Sequence, residues 1–502
     1  DAAAPAIDER RVKAWVDQEE RSAADGWRST LDAVQLRVPA NAQPLADTLH
    51  TALAHLLVTR DGPILRPGTR AYARSWIRDG AMIGDALLRV GQAPVVADYL
   101  RWYAPYQFAN GKMPCCVDAR GADPVPENDS MGEFVFLVDD VFRYTGDRTL
   151  LTQMWPHVQR ALRYQEQLRQ SGRAPSRSGK NDPLYGLLPE SISHEGYAAK
   201  PMHSYWDDLW ALKGYGAGVR IAEALGEKEQ ADAWRRQREE FAHDVQVSLL
   251  ASAATHAVDY LPGAAELGDF DPTASTIAFT PAGDRDAVPP QLIEPTFERY
   301  WREFVERRDG RKAWDDYTPY ELRIVGTFVR LGWRDRAQEL LRFFMADRRP
   351  AAWNQWAEVV GREPRQVRFI GDMPHAWIAS DYIRVALDLF AYERATDQTM
   401  VLAGGVPWDW LRGSGVALTG MHTPYGRLSY ALHRQGDRVV LHVDAGMRLP
   451  PGGVVLSWPG REPPGATRVN GKRATWHNGE LSIRQLPADV VVEPAPRKPK
   501  KR

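Results

Sequence analysis

Three stretches of this chain set a carboxylate among apolar or aromatic residues, two of them beside tryptophan: Ser75-Trp76-Ile77-Arg78-Asp79-Gly80, Leu187-Leu188-Pro189-Glu190-Ser191 and Trp353-Asn354-Gln355-Trp356-Ala357-Glu358. That mixture suits a site that grips a sugar ring. Aromatic faces cover the C–H side of a pyranose, and an Arg and an Asp take its hydroxyls in charge-assisted hydrogen bonds. Two further carboxyl groups can act as the acid and the base that break a glycosidic bond. Glu190 follows Pro189 in a loop, beside Tyr185, Leu187 and Leu188. Apolar neighbours raise a carboxyl pKa, as a general acid requires, so Glu190 is the candidate acid and Glu195 its rival. Glu358, in a break between helices, is the candidate base, acting through water with inversion. Trp353 and Trp356 flank it.

Arg78 and Asp79 are expected to bind hydroxyls of the terminal sugar rather than to donate a proton, because a neighbouring Arg lowers a carboxyl pKa. Capping of the helix that follows would account for Asp79 as well. Trp206, Asp207 and Asp208 open another helix, where two acids favour the dipole or face the sugar. His375 reads as a hydrogen-bonded core histidine or as a substrate contact.

Elements that bring such distant residues together must be regular. From about residue 44 to 395 apolar residues recur at helical spacing, as in Met82, Ile83, Ala86, Leu87 and Val90, or Ile378, Tyr382, Val385 and Leu389. A dozen or so such segments predict a closed toroid of helical hairpins over 41–400, whose end loops converge on a central cavity. Residues 171–183 read as an exposed loop and 251–293 as a long irregular one, with Gly-Asp-Phe-Asp-Pro-Thr at 268–273. After about residue 415 the period changes to two: Leu428, Tyr430, Leu432, then Val439, Leu441, Val443, with Asn470-Gly471 as a hairpin signal. This predicts a small C-terminal all-β, sandwich-like domain over 415–495. Residues 1–40 read as an N-terminal extension or the remnant of a preceding domain, and 496–502 as a solvated basic tail.

Composition narrows the partners. The 64 basic and 65 acidic residues nearly cancel, which argues against nucleic acid or an anionic membrane. No run of about 18 apolar residues is present to span a bilayer. The 18 tryptophans fit an oligosaccharide or polysaccharide substrate. The two cysteines, Cys115 and Cys116, are adjacent and read as buried, reduced thiols. They build neither a disulfide framework nor a tetrahedral metal site, and no metal or cofactor is expected. The opening Asp1-Ala2-Ala3-Ala4-Pro5 is compatible with a mature end left by signal cleavage, which gives a periplasmic or secreted protein as the expectation.

At its motifs the chain resembles the glucoamylase/glucodextranase glycoside hydrolases, and more loosely the trehalase and glucosidase-I families. Trp76-Ile77-Arg78-Asp79 is similar to that family's early Trp-x-Arg-Asp, and Glu127-Asn128-Asp129-Ser130-Met131-Gly132-Glu133 to its Asp-x-x-Gly-Glu segment. Glu190 falls where the family places its acid. Trp356-Ala357-Glu358 and Met373-Pro374-His375-Ala376-Trp377 fall at its base segment and a late helix start. The resemblance implies an (α/α)6 toroid and an inverting, exo-acting hydrolase of α-glucoside-like substrates. It adds Glu133 to the sugar-binding set. In a trehalase-like alignment the acid would be Asp207 or Asp208.

Two other chemistries compete. A polysaccharide lyase on an α/α toroid needs a Tyr or His base and a group to neutralise a uronate, for which Tyr205, His203 and Arg78 are candidates. A non-catalytic glycan-binding protein needs only the aromatic groove.

Overall fold

The computed structural model describes residues 8–173, 182–283, 285–363 and 366–494. The basic tail, and most of the loop expected at 171–183, lie outside the described residues.

Six inner and six outer elements alternate around a ring. The inner ones are α3 (Ile77–Arg89), α5 (Ser130–Thr145), α7 (Tyr205–Leu225), the short α9 (Pro272–Ser275) running into a 3-10 turn at Thr276–Ala278, α11 (Leu322–Arg330) and α13 (Ala376–Phe390). The outer ones are α2 (Gln43–Thr59), α4 (Ala93–Tyr103), α6 (Arg148–Gly172), α8 (Lys228–Thr255), α10 (Pro290–Arg308) and α12 (Arg334–Ala346). Each inner helix packs on the next, and α13 closes the circle against α3. The expected helical toroid is present, with its fourth inner helix reduced to two short turns. Those turns account for the irregular pattern at 251–293: Asp271 caps α9 by accepting from the Ala274 N–H, and Pro272 sits at its first position.

The inner helices are buried on nearly every side, so the charged residues interrupting their apolar spacing, among them Asp85, Asp381, Arg384 and Asp388, are buried too. α5 and α7 approach backbone to backbone: a Cβ on Gly132 would strike the Trp210 carbonyl, and one on Gly214 would strike the Gly132 Cα.

The β domain follows α13 directly. A seven-stranded sheet runs in the order Gln35–Arg37, Val416–Thr423, Gly426–Gln435, Arg438–Val443, Ala488–Val492, Thr467–Val469, Lys472–Ala474. A five-stranded sheet contains Ala391–Arg394 and Thr399–Leu402. Leu428, Tyr430, Leu432, Val439, Leu441 and Val443 are buried, as the alternation predicts. Strands begin at Ala391, ahead of the period change near 415, because the first two are only four residues each. Residues 1–40 contribute one edge strand to this domain, after the helix α1 (Glu9–Leu31), which buries none of its residues.

Candidate active site

A cavity of about 250 Å3 opens at one mouth of the toroid. The N-terminal ends of α3, α11 and α13 line it with Arg78, Asp79, Arg323, His375 and Trp377. Loops add Tyr72, Trp76, His194, Glu195, Asp271, Tyr320 and Glu358. All these helices present their positive dipole ends to the cavity, which favours negative charge there.

Glu358 is held from three sides. Its carboxylate accepts hydrogen bonds from the Tyr72 hydroxyl at 2.5 Å and the Tyr320 hydroxyl at 3.2 Å. His375 Nε2 lies 4.0 Å away. His375 Nδ1 caps α13 by accepting from the Ile378 N–H, so the ring proton belongs on Nε2, facing Glu358. Burial lowers the His375 pKa to about 3, which keeps the ring neutral. Tyr72 is positioned by Asp372, whose carboxylate accepts the backbone N–H groups of Arg70, Ala71 and Tyr72. A two-strand pairing of Asp316–Tyr317 with Val360–Gly361 fixes the segments bearing Tyr320 and Glu358 relative to each other.

Burial raises the Glu358 pKa above the ordinary 4.5, the two tyrosine hydroxyls pull it down, and the Glu195 charge pushes it up. If ionised Glu358 is the base, kcat/KM falls on the acid side as it takes up a proton. In Tyr72→Phe a bond that favours the ionised form is lost, so the acid limb of the pH–rate profile shifts to higher pH. A shift to lower pH, or none, contradicts this arrangement.

Gly371 has φ +65° and passes directly over Glu358, so that a Cβ there would collide with Oε2. Gly371→Ala displaces the carboxylate and adds the left-handed backbone penalty of about 1–2 kcal/mol. A displacement of about 1 Å at a reacting group lowers turnover by about 10²-fold. Turnover and thermal melting together check this, and wild-type turnover would show that Glu358 needs no such placement.

Arg78 is committed elsewhere. Its guanidinium pairs with buried Glu127 and, at 3.2 Å, with Asp129, whose carboxylate also accepts the Trp206 indole N–H at 2.9 Å. This corrects the expectation for Asp79. Burial pushes the Asp79 carboxyl up to about 8, outweighing Arg78, whose charge Glu127 and Asp129 already answer. Nor does Asp79 cap α3, whose start has no side-chain capping bond. It lines the cavity as a neutral acid at neutral pH.

The structure brings together Trp76, Arg78, Asp79, Glu358 and His375 from the expected set, and it leaves the others outside. Glu190 is exposed and does not line the cavity, its carboxylate lying within 4.8 Å of His203 and Glu266, while Glu195 of the same loop does line it. A short bridge between Ser191 and Met202 reverses the loop, and Ser193 and Glu195 adopt φ of 53° and 64°. Asp207 and Asp208 hold that loop rather than the sugar. Asp207 accepts from the Ser191 and Ser193 hydroxyls at 2.5 and 2.8 Å, and Asp208 from the Leu188 N–H at 3.0 Å. Glu133 is fully buried behind Asp129, with a pKa raised by desolvation. Trp206 is buried, with His194 stacked on it at 5.0 Å. Trp356 is core, donating to the Phe344 carbonyl, and Trp353 lies half exposed on the outer surface. Of the lyase candidates, Tyr205 donates or accepts with Ser248 and His203 meets Glu266 at 2.5 Å, and neither lines the cavity.

Tyr72, Tyr320, Arg323 and Asp271 were not anticipated. Asp271 had a signal, the Gly-Asp-Phe-Asp-Pro-Thr loop. The others had none in local sequence.

Comparison with known proteins finds the same toroidal fold elsewhere. Residues 75–265 match the model of the bacterial α-L-rhamnosidase six-hairpin glycosidase domain. No curated protein sequence matches the chain. An α-L-rhamnosidase from Dictyoglumus thermophilum superposes with a TM-score of 0.62 at 10% identity, over 92% of this chain and 50% of its own. One from Streptomyces avermitilis, complexed with L-rhamnose, gives 0.56 at 15% identity, over 91% and 42%. A GH78-family rhamnosidase from a Bacillus species gives 0.58 at 13%, over 84% and 42%. This chain thus spans half or less of the length of these proteins, and at such identities the likeness establishes the shared fold. The fold so shown is the (α/α)6 toroid of helical hairpins. Among families of that fold, the matching model is the rhamnosidase one rather than the glucoamylase one that the motifs resemble.

Proposed function

We propose that this chain is the catalytic unit of an exo-acting glycoside hydrolase that inverts the anomeric centre. Glu358 activates a water as general base, and Glu195 protonates the leaving oxygen as general acid. The observation that carries the reading is the convergence of two carboxylates, from loops far apart in sequence, on one cavity lined by Trp76, Trp377, Arg323 and Asp79. The cavity's small volume suits one terminal sugar ring, and the exposed Glu195 among its lining residues can reach a leaving group that extends into solvent. Glu358, half-buried and held by two hydroxyl donors, is built to be a stationary base. The matched rhamnosidase domain model and the rhamnosidases of like fold support O-glycosidic chemistry and a sugar substrate.

A lyase reading fits less well. The tyrosines at this cavity would have to serve as its base, yet burial and the Glu358 charge raise the Tyr72 pKa well above its ordinary 10.0, and Tyr320 rises likewise. Release of sugar from a panel of α- and β-linked aryl glycosides and oligosaccharides tests the proposal. Binding without any product would point to a glycan-binding protein.

A further inference from the structure

Inside the ring a file of alternating charges runs between α3, α11 and α13. Arg330 meets Asp388 at 2.5 Å, and Asp388 meets Arg89 at 3.0 Å. Arg89 meets Asp85 at 3.0 Å, and Asp85 meets Arg384 at 3.9 Å. Arg384 pairs closely with Asp381, and Asp381 stands 4.0 Å from Arg323. Four arginines therefore face three aspartates. The file ends at the catalytic cavity on Arg323, whose side chain is only 4% exposed.

Arg323 is the poorly answered member. Among the described residues its guanidinium makes no hydrogen bond, and Nε and Nη1 are buried without a partner. Asp381, its nearest carboxylate, gives Oδ1 to Arg384, and its Oδ2 stands 4.0 Å from Arg323 Nη1, beyond hydrogen-bond reach. Asp271, also close, is held by His194 at 3.5 Å and by the Ala274 N–H. The rings of Trp206, Tyr320 and Trp377 surround Arg323 at 5.3–5.4 Å. They shield it from water and offer cation–π attraction, but they leave its N–H donors unfilled. A desolvated donor without an acceptor is costly unless a ligand supplies one. Burial also holds the Arg323 pKa below the ordinary guanidinium value.

Neutral sugars offer hydroxyls, which do not answer a net charge. A carboxylate answers both the charge and the planar fork of donors. We infer that the sugar bound in this cavity carries a carboxylate, as a uronic acid does, and that Arg323 receives it. The N-terminal ends of α3, α11 and α13 favour the same anion. This inference rests on the glycosidase reading and names its substrate class.

The test is a panel of aryl glycosides and disaccharides in which each neutral sugar, L-rhamnose included alongside its own neutral relatives, is compared with uronic acids of matched configuration. Wild-type protein is expected to favour the uronide by about 10–100-fold in kcat/KM, the size of a lost charge-assisted contact. Arg323→Met is expected to collapse that preference, and Arg323→Lys to restore part of it, whereas a purely structural arginine would lower both members of each pair in proportion. Preference for the neutral member, or a proportional loss in Arg323→Met, overturns the inference and leaves the glycosidase reading standing. Conversion of uronides to unsaturated products overturns the glycosidase reading while the carboxylate assignment stands. No turnover of any member, with free uronates binding no better than neutral sugars by calorimetry, overturns both. Should Arg323→Met fail to fold by circular dichroism, the wild-type preference decides alone.

Discussion

Glu358→Gln is expected to lower turnover of the best substrate by about 10²–10⁴-fold, the range that general-base catalysis supplies. The amide keeps the shape, and its oxygen can still accept from one of the two tyrosine hydroxyls, which bond different oxygens of Glu358, while its NH2 donates to the other once that hydroxyl rotates, so the cavity and the melting temperature should change little. What is lost is the negative charge that takes a proton from the attacking water. The loss should be similar for good and poor leaving groups, because water attack is impaired in every case. Azide, which needs no deprotonation, should restore part of the rate as a replacement nucleophile. Turnover near that of the wild type would remove Glu358 from the reaction.

Glu195→Gln should behave differently. Sugar or alkyl leaving groups need a proton, and their release should slow by about 10²–10⁴-fold. Dinitrophenoxide leaves without one, so hydrolysis of a dinitrophenyl glycoside should slow far less. Glu195 lies at the rim on a loop with positive φ, held by Asp207 through Ser191 and Ser193. A changed side chain there leaves the core undisturbed. Equal losses on both leaving groups would deny Glu195 the acid's role. Asp79 would then be the alternative, since its carboxyl stays protonated to about pH 8. The same pair of substrates with Asp79→Asn would decide it.

The toroid was legible because its helices repeat at one period and its β domain at another. Trp76, Arg78 and Asp79 were legible because a polar pair at the start of an otherwise apolar helix has little structural reason to be there. Glu358 was legible for its aromatic company, although Trp353 and Trp356 themselves turn outward and into the core. Glu190 and Glu195 show the limit. Both lie in one irregular loop, and only the Ser191–Met202 bridge and two positive-φ residues decide which carboxylate reaches the cavity. Arg323 was hidden by its neighbours Ile324, Val325 and Phe328, whose spacing marks a buried helix and gives no hint that one polar residue among them faces an interior cavity. Tyr72 and Tyr320 sit in loops placed by Asp372 and by a two-residue strand pairing, contacts hundreds and tens of residues away in sequence.

The central claim is that Glu195 and Glu358 act on opposite faces of one sugar ring. Inverting enzymes hold their two carboxyl groups roughly 6.5–9.5 Å apart so that a water fits beneath the ring, whereas retaining enzymes close that gap to about 5–5.5 Å. Proton NMR of the first sugar released by the wild-type protein, recorded before mutarotation, tests this most directly. The account predicts the anomer opposite to that of the substrate's bond; release of the same anomer would contradict it.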